Sequence, residues 1–338
     1  MANKYVKELK KWVQYAANSF STCGLERVSS APHIFRVLYQ GDRLDPFLYL
    51  YSLSSRYMNE RVYYIVSFYW SVNEWTIGNI HKDLARFKRL FRKHTVIFLA
   101  NSPEELELLK QNNFNAVLCN HNCFVDENIY RPLKQEKKFD AVYDARLSPF
   151  KRHQLAEKIT SLGLITYIHD FSNQEEYTTM VKRKLNYAHW FNKTPDGLRH
   201  LSATEVNEAL NKCKVGLCLS AEEGAMYASI QYLLAGLPVV NVPNKGGRDV
   251  FFDGYNSITV EPEAGIVAEA VKGMIDRNPD PETIRNNTIQ LMEIHRNYFI
   301  DLINQIGKGE GYDLNFKEKW DSLFYNKFIR WVSYKEVL

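Results

Sequence analysis

Leu219-Ser220-Ala221-Glu222-Glu223-Gly224-Ala225-Met226-Tyr227-Ala228-Ser229-Ile230-Gln231, running on to Ala235-Gly236-Leu237-Pro238-Val239-Val240, is the most informative stretch of this chain. An apolar run, Val215–Leu219, reads as a strand that ends in a polar loop. The pattern predicts a helix over Gly224–Ala235, closed by Gly236, and a further strand over Pro238–Val242. Strand, loop, helix, strand is the unit from which parallel α/β sheets are built. Gly224 would let a ligand approach the backbone closely. The N–H groups of Gly224, Ala225 and Met226, with Tyr227 in the same turn, would then offer donors to an anion at a helix start. Glu223 would reach a hydroxyl of that ligand. Standing alone, Glu-Gly before a helix is also an ordinary N-terminal turn.

Upstream, Ala145-Arg146-Leu147-Ser148-Pro149-Phe150-Lys151 repeats the theme. Phe139–Ala145 is a predicted strand, and Ser148-Pro149 is expected to open a helix that ends at Gly163, before a strand over Leu164–Ile168. Ligands of open α/β sheets bind at the carboxyl ends of strands. Arg146 at a strand end and Lys151 in a helix's first turn are thus two fixed cations suited to a diphosphate. As an isolated pair they read rather as solvated surface charges. Downstream, Asn244-Lys245-Gly246-Gly247-Arg248-Asp249 follows the next strand, and its glycine pair permits unusual backbone angles. It lacks the Gly-Lys-Ser/Thr of a P-loop.

Outward from this core the alternation continues. Ile34–Tyr39, Val62–Tyr69, Thr95–Ala100 and Ala116–Cys119 are short apolar runs of buried-strand type. Ser102 and Pro103 are a cap and a first helical residue for a helix to about Gln111. Thr204–Lys212, Val267–Arg277 and Pro281–Tyr298 read as helices, and Phe316–Val332 as an aromatic, amphipathic terminal one. The polar segment Asp126–Lys138 is the linker candidate. The expected division is 1–136, 137–300 and a returning helical segment 301–338.

The chain has 338 residues, enough for two domains, and 45% of them are hydrophobic. It contains no apolar run long enough to span a membrane. Charges in MANKYVKELKKW, where a leader needs apolar residues, point to the cytoplasm. Tyr5–Ala17 reads as a basic amphipathic helix, a surface helix by default and a candidate peripheral membrane contact. The net charge of +4 disfavours nucleic acid as a partner. Five irregularly spaced cysteines suggest reduced thiols rather than disulfides or a zinc site. The 14% aromatic share is either a compositional habit or a surface that stacks sugars or touches lipid.

Taken together, these segments resemble glycosyltransferase family 4, the glycosyl transferases group 1, of GT-B fold. That family shows Gly-Arg-Leu with a Lys at the offset that Lys151 has from Arg146; Ala145 replaces its Gly. Ser220, Glu223, Gly224, Gly236, Pro238, Val239 and Val240 match its Ser-x-x-Glu-Gly and Ala-x-Gly-x-Pro-Val-Val. Gly246, Gly247 and Asp249 resemble its Gly-Gly loop, and CNHNCFVDENIYRP (119–132) its interdomain connector.

The resemblance implies an α/β GT-B architecture: two Rossmann-like domains facing a cleft, with a C-terminal helix packed back on the first. It implies a retaining hexosyltransferase that needs no metal or other cofactor and takes a nucleotide sugar such as a UDP- or GDP-hexose. Its acceptor would be a glycan or lipid. Arg146 and Lys151 would neutralise the diphosphate leaving group and Glu223 would hold sugar hydroxyls. Gly224, Ala225, Met226, Tyr227 and Gln231 would complete the donor site. His121 and His169 are candidates to face the cleft. Two features depart from the family. Gln231 stands where it has a ribose-gripping Glu, and an amide loses the charge-assisted strength of a carboxylate. No glycine-rich loop opens the first domain; Asn18–Gly24 (NSFSTCG) is the nearest equivalent. These departures keep two other readings in play, a non-catalytic GT-B protein that binds a glycan or protein partner, and a sugar-nucleotide epimerase.

Overall fold

The computed structural model describes residues 22–39, 50–168, 174–324 and 331–333, with the single positions 7, 10, 11, 14 and 47. Most of the basic helix expected over Tyr5–Ala17 lies outside the described residues, as does His169. Of Asn18–Gly24, only Thr22–Gly24 is described, as the start of a strand. The chain forms two compact units, Met1–Val125 with Ile294–Leu338, and Asp126–Glu293.

The first unit begins with β1 (Thr22–Ser30) and β2 (His33–Tyr39), an antiparallel pair. There follow α1 (Leu50–Arg56), β3 (Val62–Phe68), α2 (Glu74–Leu90), β4 (His94–Ala100), α3 (Pro103–Gln111) and β5 (Ala116–Leu118). Strands β2 to β5 are parallel and lie side by side in chain order. Their continuous apolar runs, such as Val62–Phe68, are what a sheet covered on both faces requires. The α3 start is as expected: Pro103 leads the helix and the Ser102 hydroxyl accepts the Glu105 N–H at 3.2 Å. Helix α2 is absent from the sequence expectations. Its signal is there, because Ile77, Ile80, Leu84 and Phe87 fall on one buried face and Asn73 caps it.

The aromatic share is spent largely here. Phe35, Tyr64, Phe68, Phe87, Phe91 and Phe98 are buried together, with Phe68 stacked on Phe98 at 5.5 Å and Tyr64 edge-on to Phe87 at 5.8 Å. Aromatic pairs of this geometry contribute about 0.5–1.5 kcal/mol beyond their burial.

The second unit carries β6 (Phe139–Asp144), β7 (Leu162–Ile165), α4 (Glu175–Lys184) and β8 (His189–Trp190). A two-residue hairpin, β9 (Lys193–Thr194) and β10 (Gly197–Leu198), leads to α5 (Ala203–Asn211), which starts at a Ser202/Glu205 capping box. Then come β11 (Cys213–Cys218), α6 (Tyr227–Leu234), β12 (Val239–Asn241), β13 (Ser257–Thr259) and α7 (Ala264–Arg277). Helix α8 (Pro281–Gly309) begins in this unit and ends in the other. All six strands of the main sheet are parallel, in the order β13-β12-β11-β6-β7-β8. That is the Rossmann order, in which the strand sequence reverses between the first and fourth strands, here β6 and β11.

The chain closes in the first unit with α9 (Phe316–Leu323) and β14 (Trp331–Ser333), antiparallel to β1. The helix expected over Phe316–Val332 therefore stops early. Phe316, Trp320 and Phe324 form its apolar stripe; Phe124 stacks on Trp320 at 5.2 Å and meets Phe324 edge-on at 4.9 Å. Phe324 caps the helix, and Trp331–Ser333 is an edge strand of the sheet.

Two further expectations are corrected. The helix from Ser148-Pro149 to Gly163 does not form; two 3-10 turns, Pro149–Lys151 and His153–Ala156, take its place. Arg152 between them is left-handed at φ 51°, and the Tyr143 hydroxyl donates to the Lys151 carbonyl at 2.5 Å, removing an acceptor that a helix needs. Gly163 lies within β7, where a Cβ would stand 2.5 Å from the Phe191 ring. The helix after β11 begins at Tyr227 rather than Gly224, because the Glu223 N–H bonds the Lys245 carbonyl at 3.0 Å and the Lys245 N–H bonds the Ala221 carbonyl at 2.9 Å. Those two bonds hold the loop extended.

Candidate functional site

Strand order puts the crevice of the second unit at the carboxyl ends of β6 and β11. Two loops emerge there, one carrying Ala145 to Lys151 and the other Leu219 to Met226. Among the described strands of the first unit, the parallel run β2 to β5 has no such reversal.

The structure brings Lys151 and Glu223 into direct contact. The ammonium of Lys151 is ion-paired with Oε1 of Glu223, and both side chains are largely buried. The Ser220 hydroxyl donates to the same oxygen at 2.6 Å. The ring of Phe150 lies beneath two cations: Cζ of Arg146 is 4.9 Å from its centroid and Nζ of Lys151 is 5.1 Å. Arg146 is half-buried and, among the described residues, has no ion-pair partner. One cation is thus neutralised by Glu223 and the other is available to an anion.

Arg248 builds the floor of the site. Its fully buried guanidinium donates to the carbonyls of Cys218 (3.2 Å), Ser220 (2.8 Å) and Val242 (2.6 Å), and to Asp249. Arg152 donates to the Leu219 carbonyl at 2.6 Å. Two arginines therefore fix the backbone that presents Ser220 and Glu223. Sequence reading placed Arg248 in a glycine turn; nothing local reveals that its carbonyl partners lie at and just beyond the ends of β11 and β12. Gly246, at φ 103°, makes the turn that points Arg248 inward.

The candidate backbone donors Gly224, Ala225 and Met226 lie in the loop before α6, with Met226 left-handed at φ 44°. They do not occupy a helix's first turn. Nor does Lys151, which ends a 3-10 turn instead of entering the helix expected there. Tyr227, the first residue of α6, remains partly exposed and meets Tyr130 edge-on at 6.2 Å. Gln231 is buried, and its Nε2 donates to the Tyr130 hydroxyl at 2.7 Å. Arg285 of α8 holds this corner through the carbonyls of Glu127 (2.7 Å) and Leu234 (3.0 Å). Burial raises the Tyr130 hydroxyl above its ordinary value.

His121 lies in the first unit, in the turn after β5, and is buried. Burial, with the nearby Arg36 charge, lowers its pKa to about 3 against a hydrogen bond to the Phe68 backbone. It is a neutral imidazole across the physiological range. The described residues contain no group of three or more His, Cys, Asp or Glu side chains placed to hold a metal, and no helix long and apolar enough to cross a membrane.

No protein-family model matches the sequence, and no curated protein matches it. Similarity appears at the level of structure. HepE of Anabaena, solved with UDP, gives a TM-score of 0.56 at 15% identity over 78% of this chain and 76% of its own. The chain has the GT-B fold. Other GT-B proteins superpose similarly. Sucrose-phosphate synthase of Thermosynechococcus elongatus gives 0.53 at 14% identity, over 84% of this chain and 74% of its own. A variant of TarM from S. aureus, solved with fondaparinux, α-GlcNAc-glycerol and UDP, gives 0.53 at 15% identity. That match covers 76% of this chain and 58% of TarM. Within the GT-B fold of this chain, the paired Lys151 and Glu223, the open Arg146 and the Arg248 scaffold all belong to the second unit.

Proposed function

We propose that this protein is a glycosyltransferase that moves a hexose from a nucleoside-diphosphate sugar to a glycan or lipid acceptor, with retention at the anomeric carbon and without a metal. The observation that carries the reading is the meeting of Arg146, Lys151 and Glu223 at the switch point of a GT-B fold. Structures of HepE with UDP and with UDP-glucose support a nucleotide-sugar donor.

In this reading the diphosphate lies against Arg146 and Lys151. Negative charge grows on it as the bond from the sugar C1 to the phosphate oxygen breaks. Fixed cations in a partly dry site stabilise that charge more than they stabilise the ground state. The acceptor oxygen bonds C1 on the face the leaving group vacates, and its proton passes to the departing phosphate. Glu223, held by Ser220 and Lys151, accepts hydrogen bonds from the donor-sugar hydroxyls.

Calorimetry against UDP, GDP and ADP with EDTA present tests this. One of the three should bind, and Arg146→Ala and Lys151→Ala should each weaken it by about tenfold or more. Binding unchanged in both variants would overturn the diphosphate assignment. Binding that returns only when a divalent cation is added would overturn metal independence.

A further inference from the structure

One acidic side chain at the switch point has no role in the mechanism above. Asp144 is the last residue of β6, two residues before Arg146. Its backbone is anchored: its N–H donates to the Tyr232 hydroxyl at 2.6 Å. Tyr232 is itself fully buried, on α6, with its ring against Gly216 of β11, where a Cβ would stand 2.5 Å away. The ring thus spans β6 and β11 and sets the position of Asp144 from both sides of the strand reversal. The carboxylate is half-buried, yet among the described residues it has no hydrogen bond and no ion pair. It lies within electrostatic range of Lys151, Tyr130, Tyr227 and Tyr232. Lys151 pairs with Glu223 instead.

A half-buried carboxylate without a partner is costly to the fold. Here it sits near Lys151 without bonding it, with tyrosine hydroxyls around it. A phosphate is the wrong occupant for such a spot, because it would meet a like charge. A neutral group rich in hydroxyl donors is the right one, since an ionised carboxylate is an acceptor only. The neighbouring Gln231 has its amide N–H committed to Tyr130.

We infer that Asp144 is a ligand-binding residue that accepts hydrogen bonds from the ribose hydroxyls of the bound nucleotide, beside the diphosphate at Arg146 and Lys151. This rests on the nucleotide-sugar reading. It assigns to the β6 terminus the carboxylate that α6, with Gln231, does not supply.

The probe is a pair of nucleotides, the diphosphate that binds best among UDP, GDP and ADP and its 2′,3′-dideoxy form. Calorimetry is run at about pH 8.5, where Asp144 is ionised. The wild-type protein should bind the ribose form about tenfold or more tighter than the dideoxy form. Asp144→Ala should lose that margin, weakening the ribose form alone. Equal wild-type affinity for both forms would overturn the inference while leaving the diphosphate reading intact, provided Lys151→Ala still weakens binding. An Asp144→Ala variant that weakens both forms equally also overturns it, and its circular dichroism and melting curve show whether lost fold is the cause. A wild-type protein that binds none of the nucleotides overturns inference and proposed function together.

Discussion

Lys151 and Glu223, 72 residues apart in sequence, form a buried ion pair that joins the two loops of the switch point. Neither charge is well solvated, so each stabilises the other. Removing one alone leaves a charge without its partner and costs about 3 kcal/mol or more. Lys151→Met and Glu223→Gln should therefore each lower the Tm, and the double variant should lose less than the two sums predict. Equal, additive losses in a double-mutant cycle would show that the pair is not coupled. Turnover in either single variant should fall by about a hundredfold or more, the usual scale for losing a charged group at a developing charge.

Arg248 should be irreplaceable by lysine. Its fork meets three carbonyls and the Asp249 carboxylate at once. A lysine ammonium, a single point charge without the planar fork, cannot reproduce that fan. Arg248→Lys should lose about 2–4 kcal/mol by denaturant unfolding, from unmet buried carbonyls. A loss under about 0.5 kcal/mol would place the guanidinium outside the scaffold role.

Gln231→Glu tests how the α6 corner works. The Gln231 amide donates to Tyr130, whereas a carboxylate can only accept. The bond survives if the Tyr130 hydroxyl reverses direction. Tighter nucleotide binding in this variant would show a site that gains from a second carboxylate. Unchanged or weaker binding is the expected outcome, because Asp144 already supplies one.

Stability should depend on pH through Asp144 with a definite sign. Burial raises its pKa from 3.8 to about 7, opposed by Lys151. Between those values the native state holds a proton that the unfolded chain has released. This contribution to stability is full below about 4 and is lost as pH rises through about 7. Asp144→Asn should raise the Tm relative to wild type at about pH 8.5 and have little effect at about pH 4. A Tm difference independent of pH would contradict the titration.

The histidines act on the acid side. Burial lowers His153 from 6.5 to about 3, with Lys151 adding to the effect against a hydrogen bond to the Ala145 backbone carbonyl. The unfolded chain takes up a proton below 6.5 that the native state refuses. The stability this provides is present above about 6.5 and is lost as pH falls toward about 3. His153→Gln should therefore show a smaller drop in Tm between about pH 7 and about pH 5 than the wild-type protein does. An identical drop would place the acid sensitivity elsewhere.

How much of this was legible in the sequence follows from the range of each signal. The parallel strands were readable because apolar runs such as Val62–Phe68 carry their own pattern, and α3 because Ser102, Pro103 and Glu105 are a local cap. The offsets among Arg146, Lys151, Ser220, Glu223 and Gly224 marked one corner of the fold as chemical. What the sequence by itself determined is the α/β alternation and the identity of the charged groups at two strand ends, since both depend on neighbours in the chain. Only the tertiary structure decided the rest. It made turns of the helix expected after Ser148, through Tyr143 and left-handed Arg152. It started α6 at Tyr227, through the Glu222–Lys245 bridge, and joined Lys151 to Glu223. It turned Arg248 inward to carbonyls at the ends of β11 and β12 and left the Asp144 carboxylate without a partner near Lys151. Each of these depends on hydrogen bonds and charges between segments distant in sequence, whose energies no local periodicity encodes.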